Sequence, residues 1–139
     1  MSPRLPARSR TVRDEYLLPR AKTAASWARR LTAAFLARED TAALTRANAD
    51  DAALVVSELV TNATRHAHSV CRLRLCAAPS GHLTIEVHDD APSRPRHRTA
   101  GVSEEHGRGL AIVSALARRL DVLDDPRGGK TIRARMSPA

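Results

Sequence analysis

"SELVTNATRHAHSVCRLRLCA" spans Ser57–Ala77 and contains a change of period. Val56, Leu59, Val60, Ala63 and Ala67 recur every three or four positions, the spacing of one helix face. From Val70 to Ala77 apolar and basic residues alternate instead, which is the pattern of a half-buried strand. The helical part also holds Glu58, Asn62 and His66 at i, i+4 and i+8. Successive members are displaced by about 40° around the axis, so all three share the side away from the apolar stripe. An ordinary solvated face is the plain reading of such a row. Asn62 argues against it, because Asn is a mediocre helix former where Gln, Glu or Lys would cost nothing. An Asn oxygen one turn from a carboxylate can hold a hard cation while the carboxylate handles a proton.

The remaining elements are placed outward from this stretch. Upstream, "TVRDEYLLP" (Thr11–Pro19) reads as an edge strand stopped by proline. Ala24, Trp27, Ala28, Leu31, Ala34 and Phe35 predict a helix between Arg20 and Arg38. The second helix starts near Asn48 or Asp50, either of which can cap it. Downstream, "PSGH" is a turn and "LTIEVHD" (Leu83–Asp89) a second alternating strand. Asp90–His106 has no periodicity and contains Pro92, Pro95 and Gly101, so it predicts a long functional loop. "GRGLAIVSALARRL" (Gly107–Leu120) predicts a third helix opened by a glycine pair. "DVLDD" and "KTIRARM" predict two closing strands around a "PRGG" turn. Sequential strands with short turns imply a mostly antiparallel, mixed sheet. Helices gathered on one face then give a two-layer α+β sandwich.

The length of 139 residues suits one domain, and 42% hydrophobic residues suffice for a core. Aromatics are only 2%, which argues against a single-strand binder built on stacking platforms. The net charge of +8 is carried almost wholly by Arg and admits nucleic acid, an acidic partner or a phosphate-rich ligand. No helix-turn-helix, RRM or zinc-finger pattern supports the first of these. Cys71 and Cys76 lie five apart in a strand and point to opposite faces, so no disulfide between them is expected. A reducing, cytoplasmic setting follows as the expectation, with no membrane segment and no signal peptide. "MSPRLPARSR" predicts a disordered basic tail over residues 1–10, followed by one domain over 11–139.

Three further stretches carry chemistry. Asp89 ends a strand at the mouth of the long loop, where a carboxylate can accept from an exocyclic amine. Gly107 and Gly109 at a helix start allow close backbone approach and favour phosphate. "GGKT" precedes the last strand. Taken in order, "ELVTNATRHA", "VHDDAP", "HGRGLAIV" and "GGKTIRARM" resemble the N box, G1 box, G2 box and closing Thr motif of the GHKL ATPase superfamily. The short single-domain form looks most like the bacterial anti-sigma-factor serine/threonine kinases.

That resemblance implies a Bergerat-type ATP-binding fold over nearly the whole chain, with ATP and Mg²⁺ bound. Glu58 matches the general base, and Asn62 the Mg²⁺ ligand. His66 stands at a following phosphate-facing position. Asp89 matches the acceptor of the adenine amino group, and Ala91 stands where the superfamily commonly has glycine. Gly107, Arg108, Gly109 and Leu110 match the segment beside the phosphates, and Arg96–His106 the ATP lid. Thr131 matches the Thr that supports the adenine-binding Asp. The implied function is a protein serine/threonine kinase that phosphorylates a small antagonist protein and regulates transcription. A sigma factor is a further expected partner, and related kinases commonly form homodimers. The alternatives are a non-catalytic, nucleotide-gated binding module and, third, a nucleic-acid-binding protein. Histidine kinase activity is disfavoured, since 139 residues leave no room for a phosphoacceptor-helix domain.

Overall fold

The computed structural model describes residues 10–66, 70–91 and 104–138, excluding the side chains at positions 66 and 104–108. The expected tail over 1–10, apart from Arg10, therefore lies outside the described residues, as does most of the expected lid. The chain runs β1 (Val12–Leu18), α1 (Ala24–Ala37), α2 (Glu39–Ala42), α3 (Ala49–His66), β2 (Cys71–Ala77), β3 (Leu83–Asp89), α4 (Glu104–Leu116), β4 (Arg119–Asp124) and β5 (Lys130–Met136). The strands form one sheet in the order β1-β2-β3-β5-β4. Every pairing in it is antiparallel, so the mixed sheet expected from the sequence is antiparallel throughout the described residues.

α3 starts where its cap dictates. Asn48 Oδ1 accepts a hydrogen bond from the Asp51 backbone N–H at 3.0 Å, and Asp50 and Asp51 occupy the positive end of the helix dipole. Its apolar stripe, Val55, Val56, Leu59, Val60 and Ala63, is buried against the sheet. The covered face of the sheet answers with Leu73, Leu75, Leu83, Ile85, Val87, Ile132 and Ala134. α1 packs on one side of α3 and α4 on the other. The core is thus aliphatic, with Phe35 its only fully buried aromatic.

Two boundaries differ from the sequence reading. α4 begins at Glu104 and encloses both glycines, because Glu104 and Glu105 are well suited to a helix start. It ends at Leu116 rather than Leu120, since Arg119 and Leu120 pair with Arg135 and Ala134 in the sheet. The short α2 has no sequence periodicity to announce it.

The opposite face of the sheet is a row of alternating charge. Glu15, Arg74, Glu86, Arg133 and Asp121 stand in register across all five strands. Arg74 reaches Glu15 at 2.9 Å and Glu86 at 3.4 Å, and Arg133 reaches Glu86 at 2.9 Å. Exposed pairs of this kind contribute about 0–1 kcal/mol each. Their effect is to keep this face in water and to leave the helix-covered face as the functional one.

The β4–β5 turn fixes the end of β3. Gly128 and Gly129 have φ of 104° and 89°. A Cβ at Gly128 would meet open space, whereas one at Gly129 would collide with the Asp89 carbonyl oxygen. Gly128→Ala should therefore cost only the left-handed backbone penalty, about 1–3 kcal/mol. Gly129→Ala should cost distinctly more. Urea unfolding of the two variants checks this, and equal losses would contradict the close approach.

Candidate functional site

Glu58 lies on the side of α3 that faces α4. A Cβ built on Gly109 would stand 2.8 Å from Glu58 Oε2 and 3.8 Å from its Cδ. Glycine inside a helix costs about 1 kcal/mol relative to alanine. At position 109 that cost makes room for a carboxylate. The next turn of α4 holds the helix down, with Leu110 packed against the core and Val113 fully buried. The sequence reading set Gly107 and Gly109 at the helix start; the helix in fact begins at Glu104, so both lie inside it, and Gly109 serves side-chain clearance.

Asn62, one turn beyond Glu58, is 7% exposed. Its amide oxygen and nitrogen are both buried and have no hydrogen-bond partner among the described residues. An unsatisfied buried polar group costs about 1–3 kcal/mol, so folding alone gives no reason for an amide here. A hard cation would satisfy the oxygen, which makes this residue fit the Mg²⁺ that the sequence resemblance implies. Among the described residues no cluster of three His, Cys, Asp or Glu could hold a metal by itself. Magnesium commonly completes its shell with substrate phosphates and water, so one amide on the wall is a workable protein share. His66 closes α3, and its side chain, like that of Arg108, is outside the described set.

Asp89 ends β3 on the covered face and is 1% exposed. Its Oδ1 accepts from the Ala91 backbone N–H at 2.8 Å, turning the chain out of the sheet. Ala91 is itself buried. The other partner of Asp89 is Lys130, directly across on β5, whose Nζ lies 3.1 Å from Oδ1 and 3.0 Å from Oδ2. Lys130 is also 1% exposed. Burial and the charge of Asp89 together push the nearby Cys71 thiol up to about 11, burial contributing more.

Thr131 is placed differently from the sequence expectation. Its hydroxyl meets His88 Nδ1 at 2.9 Å, on the face opposite Asp89. A strand alternates its side chains, so a shift of one residue exchanges the two faces. Lys130 therefore stands beside Asp89 where the resemblance put a threonine. The sequence held the signal: Lys130 shares the phase of Ile132, Ala134 and Met136, a lysine on the apolar side of a strand.

Three features of the helix-covered side thus carry the candidate chemistry: a carboxylate beside a helical glycine, an unpartnered amide, and a buried ion pair. A cleft of about 530 Å³ lies elsewhere, between the start of α1 and the end of α3, lined by Arg20, Lys22, Thr61, Thr64 and Arg65 among others.

Comparison with known proteins agrees with this architecture. Residues 18–136 match the family model of the histidine kinase-like ATPase domain, and the chain belongs to that family. It is a GHKL-type ATPase domain, a class that binds ATP, typically with Mg²⁺. Among solved structures it is similar to the histidine kinase domain of the blue-light activated histidine kinase from Erythrobacter litoralis EL346. The TM-score is 0.55 and the identity 20%, over 82% of this chain and 60% of that one. The likeness is one of fold, and the chain spans less than two thirds of that relative. No curated protein matches. No described helix is long and apolar enough to cross a membrane.

Asn62 should thus be retained against stability. Asn62→Leu is expected to raise the unfolding free energy of the nucleotide-free protein by about 1–3 kcal/mol. Thermal and urea unfolding measure this. A loss of stability would mean that the amide already has a structural partner.

Proposed function

We propose that the chain is an ATP- and Mg²⁺-dependent protein serine/threonine kinase. Its substrate would be a hydroxyl on a small antagonist protein, in an anti-sigma-factor type of transcription control. The observation that carries this reading is Glu58 seated against Gly109, one turn from the unpartnered amide of Asn62. Phosphoryl transfer needs mainly positioning and charge neutralisation, with a base for the attacking hydroxyl. Glu58 takes the hydroxyl proton while the oxygen forms its bond to Pγ and the bond from Pγ to the ADP oxygen breaks. Asn62 would hold the magnesium, which when bound neutralises the phosphate charge. Asp89 accepts from the adenine amino group. Gly107, Arg108 and Gly109 lie in α4, and in this reading that part of the helix would run beside the phosphates. A sigma factor as a second partner and a homodimer as the working form belong to the same proposal, supported by the motif order alone.

Glu58 and Asn62 are assigned different work, and that separates a kinase from a nucleotide-gated binding module. Asn62→Ala should impair Mg²⁺-dependent ATP binding and transfer together. Glu58→Ala should leave ATP affinity nearly intact and lower transfer by about 10²–10⁴-fold. Binding isotherms and phosphotransfer assays with the antagonist protein decide between them. Unchanged transfer by Glu58→Ala would place the base elsewhere. A parent that binds ATP and partner but transfers nothing would make the chain a binding module.

Gly109→Ala supplies an independent check. Removing a helical glycine should raise stability by up to about 1 kcal/mol. The added methyl should displace the Glu58 carboxylate and lower transfer. A variant that gains stability and keeps full transfer would show that Glu58 need not sit against α4.

A further inference from the structure

Lys130 has no role in the proposed reaction, yet it is the most buried cation of the described residues. Lys22 and Lys130 are the only lysines among 23 basic residues. The choice has a physical consequence. An ammonium is a compact charge with three rotatable donors, whereas a guanidinium is a planar fork. Asp89 Oδ1 already takes the Ala91 N–H and the Lys130 ammonium, while Oδ2 takes the ammonium alone. A carboxylate offers about four acceptor sites, so one remains on Oδ2. Two N–H groups of Lys130 suffice for both oxygens, so one donor remains on Nζ. No other described residue bonds either side chain. The pair thus leaves a free acceptor and a free donor side by side, at atoms 3.0 Å apart.

That is the complement of one edge of adenine, whose N6 amino group donates and whose neighbouring N1 accepts. We propose that Lys130 is a base-specificity residue: its ammonium donates to adenine N1 while Asp89 accepts from N6. The inference rests on the nucleotide-site reading above and adds to it a second, charged contact on the base. It also gives the buried lysine a purpose. A buried ion pair is weak support for stability, because desolvation offsets most of the attraction. The pair is 1% exposed on both sides without a base, so binding must first open the wall over it. That opening lowers apparent affinity by the same factor for every purine and cancels in comparisons between them.

The test replaces N1 by a C–H group. Parent protein titrated with Mg·ATP and Mg·1-deaza-ATP should bind the second about tenfold or more weakly, the loss of one charge-assisted hydrogen bond. In Lys130→Thr the same comparison should shrink to within about threefold, whatever the variant does to ATP affinity itself. A third readout needs no variant. In ¹⁵N-lysine spectra, the Lys130 Nζ signal should shift with ATP and stay near its free position with 1-deaza-ATP. If the parent binds the two nucleotides equally, the assignment is overturned while the ATP site stands. An equal penalty in parent and Lys130→Thr overturns it as well. If the parent binds neither nucleotide, the nucleotide-site reading fails and takes this inference with it.

Discussion

A charge buried on the covered face of a sheet must find its partner within the fold, and Asp89 finds Lys130. The pair joins β3 to β5, the central crossing of the sheet, because these two strands are neighbours in space though far apart in sequence. Removing one member would leave an uncompensated charge inside the protein, at a cost of about 3–5 kcal/mol. Gly129 tightens the same corner by letting the β4–β5 turn lie on the Asp89 carbonyl. The strand end, the turn and the ion pair thus fix where Asp89 points. The charged row on the other face sets the polarity of the whole sheet, water on one side and function on the other.

The second anchor is the α3–α4 contact. Helices usually meet through apolar side chains, and α4 contributes Val113 to the core and packs Leu110 against it. At Gly109 the contact omits a side chain and admits a carboxylate instead. One turn along α3, Asn62 forgoes its hydrogen bonds. Both features weaken the free protein slightly. Such concessions are expected where a site has to be held ready for a ligand.

Much of this could be read from residues alone. The i, i+4 spacing of Glu58 and Asn62 placed them on one side of a helix, and the Asn48 cap marked where that helix begins. The alternation in "VCRLRLCA" and "LTIEVHD" set the two central strands to within a residue. The ion pair was not legible in the same way. It depends on which β5 residue lies opposite Asp89, a question of register between strands separated by α4 and β4. Motif order alone pointed to Thr131, one residue off and therefore on the wrong face. The start of α4 was missed because glycines read locally as a helix boundary. Gly109 faces Glu58 of α3, a tertiary relation that lies outside any local window.

The most direct measurement is a structure of the protein with Mg²⁺ and a non-hydrolysable ATP analogue. The expected result is a metal held by Asn62 Oδ1, the base edge against Asp89 and Lys130, and phosphates alongside the Gly109 turn of α4. A nucleotide seated instead in the basic cleft of Arg20, Lys22 and Arg65, with Asn62 still unpartnered and the Asp89–Lys130 pair closed, would contradict it.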